Sequence, residues 1–238
     1  MKVRKVLYRS GVVLPWCEGD LHTQWGIVKG EDITKASGVV KGHTGKEFRV
    51  FPANFNDNFE CFKKDAQSVM KKDIASILVN TSLGNDSVIV EAGTGSGFLT
   101  CYLARYVKKI ITYDIEKSRI NLAKKNADQV ELKNIEFKEK NIYEGIDEND
   151  VDAVILDLPE PSRVVGYAFS SLKQGGYIVA YLPQMTQVID FIRDAEKLFL
   201  VEKVIEVSER CWNVSGNIAR PKSPDIVHTA FLVFARKI

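Results

Sequence analysis

The stretch Val88–Thr100, VIVEAGTGSGFLT, decides the fold. An apolar run ends in the carboxylate Glu91, then Gly93, Gly95 and Gly97 follow at alternate positions, and Phe98 opens the helical pattern FLTCYLARYV. Glycine in a loop between strand and helix lets the backbone turn tightly and lets a ligand approach the helix start without a Cβ in the way. The spacing is G-x-G-x-G, with Phe98 where a dinucleotide fingerprint would continue, so nicotinamide binding is disfavoured. Glu91 would repel a pyrophosphate but can hold the ammonium of a methionine moiety. The expected cofactor is therefore S-adenosylmethionine, held by Glu91, Gly93, Thr94, Gly95, Ser96 and Gly97.

Downstream, KIITYDI brings Asp114 to a second strand end, 21 positions beyond Gly93, where an acid in a doubly wound nucleotide-binding fold accepts from ribose hydroxyls. Strand and helix patterns then alternate: SRINLAKKNADQV, IEFKEKN, VDAVILDLP, VVGYAFSSL, GGYIVAYLP and MTQVIDFIRDAEKLF. That alternation predicts an α/β fold, a doubly wound and mostly parallel sheet with helices on both faces. The last two segments, VEKVIEVSERCWNVS and DIVHTAFLVFARKI, read as strands with no helix between them, so a final hairpin with one antiparallel strand is expected.

Upstream, short alternating apolar bursts punctuated by glycine predict a small β-rich domain over residues 1–58, with a hairpin turning at His43–Gly45. In FKKDAQSVMKKDIASIL the residues Ala66, Val69, Met70, Ile74, Ile77 and Leu78 recur three and four apart, which predicts one helix with a single buried stripe. The second domain is accordingly expected over residues 59–238. No internal repeat or low-complexity tract interrupts the chain.

At 238 residues and 45% hydrophobic, the chain can bury one large core plus a small module. Its net charge of +2 does not announce a nucleic-acid partner, but residues 1–50 carry nine Lys and Arg against five acids. A basic module suits a phosphate-rich partner, and a solvated lysine face accounts for it equally well. Cys17, Cys61, Cys101 and Cys211 are scattered with no metal-ligand spacing, so no metal is expected and the thiols are read as reduced. No apolar run suits a signal peptide or membrane span, and a cytoplasmic location is expected.

In ILDLPEP, Asp157 leaves a buried strand at its carboxyl end, where open α/β sheets place their chemistry, and Pro159 and Pro161 stiffen the exit. An acid with prolines here resembles the motif with which amino-methylating enzymes grip an exocyclic amine, which points to a nucleobase acceptor. Asp157 is thus the expected catalytic acid and a member of the cofactor set. Tyr181, in AYLP at the end of the next strand, is placed to flank a base taken out of its stack, with a core or rim tyrosine as the alternative. His228, in an apolar strand, is read first as a structural histidine and second as a substrate contact. Trp16, Trp25 and Trp212 are read as packing residues at a core or an interface.

The segments LHTQWGIVKGEDI, GKEFRVF, KKDA, VIVEAGTGSGFLT, NIYEGI, VDAVILDLPEP, GGYIVAYLP and RPKSPDIVHTAFLVFARKI, in this order, resemble the tRNA adenine-N1 methyltransferases that modify T-loop position 58, and in some archaea position 57. The resemblance implies a Rossmann-like methyltransferase sheet, the short archaeal or bacterial form, tRNA as partner and a homotetramer. It also implies an adenine contact at Asn141, where related methyltransferases carry an acid and where an amide oxygen can accept the same hydrogen bond. The family's aromatic-Pro ahead of Lys-Asp is Phe62-Lys63 here, with Phe62 able to supply the ring, and its His-Thr-Gly is His228-Thr229-Ala230. Two competing readings are a methyltransferase for another acceptor and a non-catalytic RNA-binding subunit. Retention of Glu91, Asp114, Asp157 and the three glycines opposes the second.

Overall fold

The computed structural model describes residues 1–64, 68–223 and 228–238, and divides into two compact units. One unit comprises Met1–Lys63 with Asp128–Glu131, and the other Lys64–Ala127 with Leu132–Ile238.

In the N-terminal unit β1 (Lys5–Arg9) and β2 (Val12–Trp16) are joined by Ser10 and Gly11, both at positive φ, which matches the right-handed twist of the paired strands. A short pair β3 (Leu21–Thr23) and β4 (Gly26–Val28) leads to helix α1 (Gly30–Lys35), and β5 (Gly38–Lys41) and β6 (Glu47–Pro52) form the hairpin expected around His43–Gly45. The four-stranded antiparallel sheet runs β2-β1-β6-β5. Leu7, Trp16, Val28, Ile33, Val40, Phe48 and Val50 form its core, with Trp25 packed against them. Helix α2 (Phe55–Glu60) starts at a capping box in which Asn54 and Asp57 satisfy each other's backbone N–H groups. Buried Asn58 then ties down the chain start, accepting from Val3 N at 2.7 Å and donating to Val3 O at 3.1 Å.

In the larger unit α3 (Lys71–Thr81) precedes β7 (Val88–Ala92), α4 (Phe98–Leu103), β8 (Lys109–Asp114), α5 (Lys117–Gln129), β9 (Ile135–Glu139) and β10 (Val151–Leu156). There follow α6 (Val165–Ser171), β11 (Leu172–Leu182), α7 (Met185–Ala195), β12 (Phe199–Glu206), a small hairpin β13 (Trp212–Ser215) and β14 (Ile218–Pro221), and β15 (Phe231–Lys237). The seven-stranded sheet has the order β12-β15-β11-β10-β7-β8-β9, parallel except for β15, which is antiparallel to both neighbours. The doubly wound sheet and its antiparallel last strand are as the alternation predicts.

Period-two alternation sorts side chains to the two faces. Val90, Ala92, Val154, Leu156, Ile178 and Ala180 pack under Val165, Val188 and Phe191 of α6 and α7. Ile89, Ile110, Ile155 and Val179 pack under Ile74, Ile77, Leu99 and Leu103 of α3 and α4. Glu91, Asp114 and Tyr181 follow on this second face at the strand ends, and Asp157 continues it one step past β10. Because chain order reverses between β7 and β10, their carboxyl ends flank the crevice where such sheets bind ligands.

Three expectations need correction. The helix read from Phe62 begins only at Lys71: Met70 caps it in extended conformation and is exposed, and Ala66 lies outside the described residues. Val69 is buried, so its spacing to Ile74 reflects burial of an extended approach, which mimics a helical stripe. His228 is in no strand; it is exposed and precedes β15 by three residues. Of the two packing sites expected for Trp212, the core is excluded: it is 55% exposed on β13.

Candidate active site

Glu91 is the penultimate residue of β7 and has no exposed surface. Its Oε2 accepts hydrogen bonds from the Thr100 hydroxyl at 2.8 Å and from the Thr112 hydroxyl, while Oε1 has no partner among the described residues. Burial pushes its carboxyl up to about 7, with the nearby Asp157 and Asp114 charges adding to the shift and the threonine bonds opposing it. A buried carboxylate with one unanswered oxygen calls for a cationic donor.

Past Glu91 the chain folds tightly against the neighbouring strand. A Cβ on Gly93 would lie 2.1 Å from the carbonyl oxygen of Asp157, and its φ of +94° also demands glycine. Gly95, at φ +49°, has no protein atom within 3.8 Å of its would-be Cβ, so that side of the loop is open. Gly97 starts α4 in the left-handed conformation. The hydroxyl of buried Thr94 bonds Thr112, and the Ser96 carbonyl accepts from Asn126 at 2.9 Å, so both residues brace the loop internally.

Asp114 ends β8 as expected and holds the loop across the crevice. Its Oδ2 accepts from Gly95 N at 3.0 Å and its Oδ1 from Glu116 N at 2.9 Å. Beside it opens a cavity of about 250 Å³ lined by Gly93, Asp114, Asn141 and Asp157. Asn141 caps a short turn, accepting from Tyr143 N at 3.1 Å and donating to Glu144 at 3.0 Å, which leaves one lone pair on its oxygen. Ile115, Arg119, Lys140 and Tyr143 also line this cavity and were not singled out from the sequence. An apolar residue directly after Asp114 was the available signal for Ile115.

Asp157 is half-buried at the mouth between β7 and β10, its N–H donating to Ala92 O at 2.9 Å. Burial alone pushes its carboxyl up to about 6. Tyr181 is only 7% exposed and does not line the cavity; burial, with the nearby Asp73 charge adding to it, pushes its hydroxyl up to about 12. Phe62 and His228 are the other two expected substrate residues. Phe62 belongs to the N-terminal unit, buried with its ring 5.2 Å from that of Phe59. His228 reaches the Pro183 carbonyl at 3.0 Å and Glu206, two contacts that raise its pKa. The structure thus gathers Glu91, the glycine loop, Asp114, Asn141 and Asp157 around one crevice, with Tyr181 on the same sheet face.

These residues fit S-adenosylmethionine. The unanswered Glu91 oxygen suits its ammonium, the open side of Gly95 admits a ligand, and the acid of Asp114 faces a cavity of nucleoside size.

A family model described as "tRNA methyltransferase complex GCD14 subunit" matches residues 61–218. A Thermus thermophilus tRNA (adenine(58)-N(1))-methyltransferase is 34% identical, covering 96% of this chain and 93% of its own. A Methanocaldococcus jannaschii tRNA (adenine(57)-N(1)/adenine(58)-N(1))-methyltransferase is 33% identical over 90% and 86%. A solved Thermotoga maritima structure described as a SAM-dependent O-methyltransferase superposes with a TM-score of 0.90 at 27% identity, covering 99% of this chain and 93% of that one. On the family match and these near full-length relatives, the chain belongs to the tRNA (adenine-N1)-methyltransferase family, an enzyme family built on the S-adenosylmethionine-dependent fold.

Proposed function

We propose that this chain methylates N1 of adenine 58 in the T-loop of tRNA, with adenine 57 as a possible second acceptor of the same chemistry. The observation that carries the reading is Asp157, an acid half-buried at the crevice mouth beside the glycine loop, in a chain whose relatives bear that activity in their names. S-adenosylmethionine, when bound, supplies an electrophilic methyl group. Glu91 receives its ammonium, Asp114 its ribose hydroxyls and Asn141 its adenine amino group, while Gly93, Thr94, Gly95, Ser96 and Gly97 shape the backbone against it.

Adenine N1 attacks through an in-plane lone pair and loses no proton, so the protein has no base to provide. The product carries a positive charge shared between N1 and the N6 amine. Asp157 accepts a hydrogen bond from N6–H and stabilises that charge as it develops. Tyr181 flanks the base once it has left its stack.

The N-terminal unit docks tRNA through phosphate contacts. Arg4, Lys35, Lys46 and Arg49 are exposed there with no ion pair among the described residues, whereas Lys2, Lys29 and Lys41 pair with acids. The protein works in the cytoplasm, in keeping with its scattered cysteines, and as a homotetramer, as the family resemblance implies. No helix of the described residues is long and apolar enough to cross a membrane.

A second reading, hydroxyl methylation with Asp157 as base, draws on the description of the Thermotoga structure and on the raised Asp157 pKa. One experiment separates the two: unmodified tRNA is incubated with methyl-labelled cofactor, and the labelled nucleoside is identified and mapped. Label in 1-methyladenosine at position 58 supports the proposal. Label on a hydroxyl, or absent from every nucleoside, overturns it.

A further inference from the structure

Asp157 opens a loop with few ways to be held in place. From Asp157 to Pro161 the chain reads DLPEP, and both prolines lack an N–H, so past Asp157 only Leu158 and Glu160 can tie the backbone down as donors. The Glu160 N–H donates to the Tyr143 hydroxyl at 3.2 Å, across 17 positions of sequence. A second tie comes from α7, whose Gln187 Nε2 donates to the Pro159 carbonyl, also at 3.2 Å.

Tyr143 belongs to the short turn Ile142–Glu144 that Asn141 caps, and it lines the cavity shared by Asp114, Asn141 and Asp157. The Arg163 guanidinium lies over its ring, 4.3 Å from the centroid, and Arg163 Nη1 bonds Glu160 Oε2 at 3.1 Å. One arginine thus holds both the ring and the loop. A ring that only walled the cavity and carried the arginine would need no hydroxyl, because phenylalanine packs and stacks in the same way. The partner of this hydroxyl among the described residues is the Glu160 N–H.

We propose that Tyr143 is a positioning residue for methyl transfer: through the Glu160 N–H its hydroxyl sets where the Asp157 loop stands, and through its ring that placement responds to a nucleoside filling the cavity. The inference rests on the reading of the cavity as the cofactor site and of Asp157 as the acid that meets the acceptor. Cofactor binding and acceptor chemistry are then joined by one side chain.

Two measurements on the full chain test it. The first is amide hydrogen exchange at Glu160 with and without S-adenosylmethionine, with calorimetry in parallel to fix occupancy. Bound cofactor should slow exchange there about tenfold in the wild type. In Tyr143→Phe, which keeps the ring, cofactor affinity should stay within about twofold, while the Glu160 amide should exchange faster and respond to cofactor by less than about twofold. Exchange identical to wild type in Tyr143→Phe, or a wild-type amide indifferent to bound cofactor, overturns the proposal. The second measurement is single-turnover methylation of unmodified tRNA at saturating tRNA and cofactor. Tyr143→Phe should slow it about tenfold, since misplacing a reacting group costs rate rather than binding. Added to Asp157→Ala, the same change should alter the rate by less than about twofold, because the group it positions is gone. Effects that multiply, or a wild-type rate in Tyr143→Phe, also overturn the proposal. Should Tyr143→Phe not fold, the wild-type exchange response decides alone. Asp157→Ala distinguishes the failures: slow while Tyr143→Phe is fast, only the role of Tyr143 is lost; fast itself, the reading of Asp157 falls and the proposal with it.

Discussion

The α-carbon of Gly93 packs against the carbonyl of Asp157 so closely that a Cβ would sit 2.1 Å from that oxygen. The loop expected to hold the cofactor and the acid expected to act on the acceptor are thus in direct backbone contact, and the three glycines of the loop are not equivalent.

Gly93→Ala should force apart the carboxyl ends of the interior strands β7 and β10, lowering stability by about 3 kcal/mol or more. At Gly95 an added Cβ finds its nearest neighbour, the Gly93 carbonyl oxygen, at an ordinary 3.8 Å, so a side chain there bears mainly the left-handed backbone strain, about 1–2 kcal/mol. Thermal melting with calorimetric titration of S-adenosylmethionine should therefore show Gly95→Val folded but unable to bind. Undiminished binding by folded Gly95→Val would place the ligand elsewhere.

Protonation should couple to cofactor binding. With Glu91 raised from 4.5 to about 7 and Asp157 from 3.8 to about 6, the native state holds protons that the unfolded chain has released. Their contribution to stability therefore falls as pH rises from about 4 to 7. An ammonium ligand requires Glu91 ionised, so affinity should climb through the same window and binding near pH 6 should release protons. Calorimetry in buffers of different ionisation enthalpy reads this directly. An affinity independent of pH there would remove Glu91 as the ammonium partner.

Much of this arrangement was legible in the sequence because strand ends and their loops are contiguous. Val88–Val90, Ile110–Ile111 and Val154–Leu156 are continuous apolar runs, as strands buried on both faces require, and Glu91, Asp114 and Asp157 stand at or just past their ends. Helices α1 and α2, six residues each, are too short for periodicity to reveal, although Asn54 and Asp57 spelled a cap. Strand β13 falls at the tail of the segment VEKVIEVSERCWNVS and β14 lies in neither of the two final strand segments, yet Gly216–Asn217 between Ser215 and Ile218 is a turn signal. Lys72 and Thr229 meet across 157 positions, and no local pattern reports such a contact.

Binding of tRNA should depend steeply on salt, since each neutralised phosphate releases counterions. Lys46→Ala and Arg49→Ala, both exposed in the N-terminal unit, should each lower the slope of log affinity against log salt by about 1 without changing cofactor affinity. Filter binding over a salt series checks it. Unchanged slopes would take the docking surface away from β6.

The central claim, that Asp157 stabilises charge on a methylated adenine, is tested most directly by single-turnover formation of 1-methyladenosine at position 58 under saturating tRNA and cofactor. Asp157→Ala should slow that step about 10²–10³-fold with tRNA affinity and melting temperature little changed. Asp157→Asn, which keeps an acceptor but not the charge, should fall between the two. A folded Asp157→Ala protein that forms 1-methyladenosine at the wild-type rate would contradict the account.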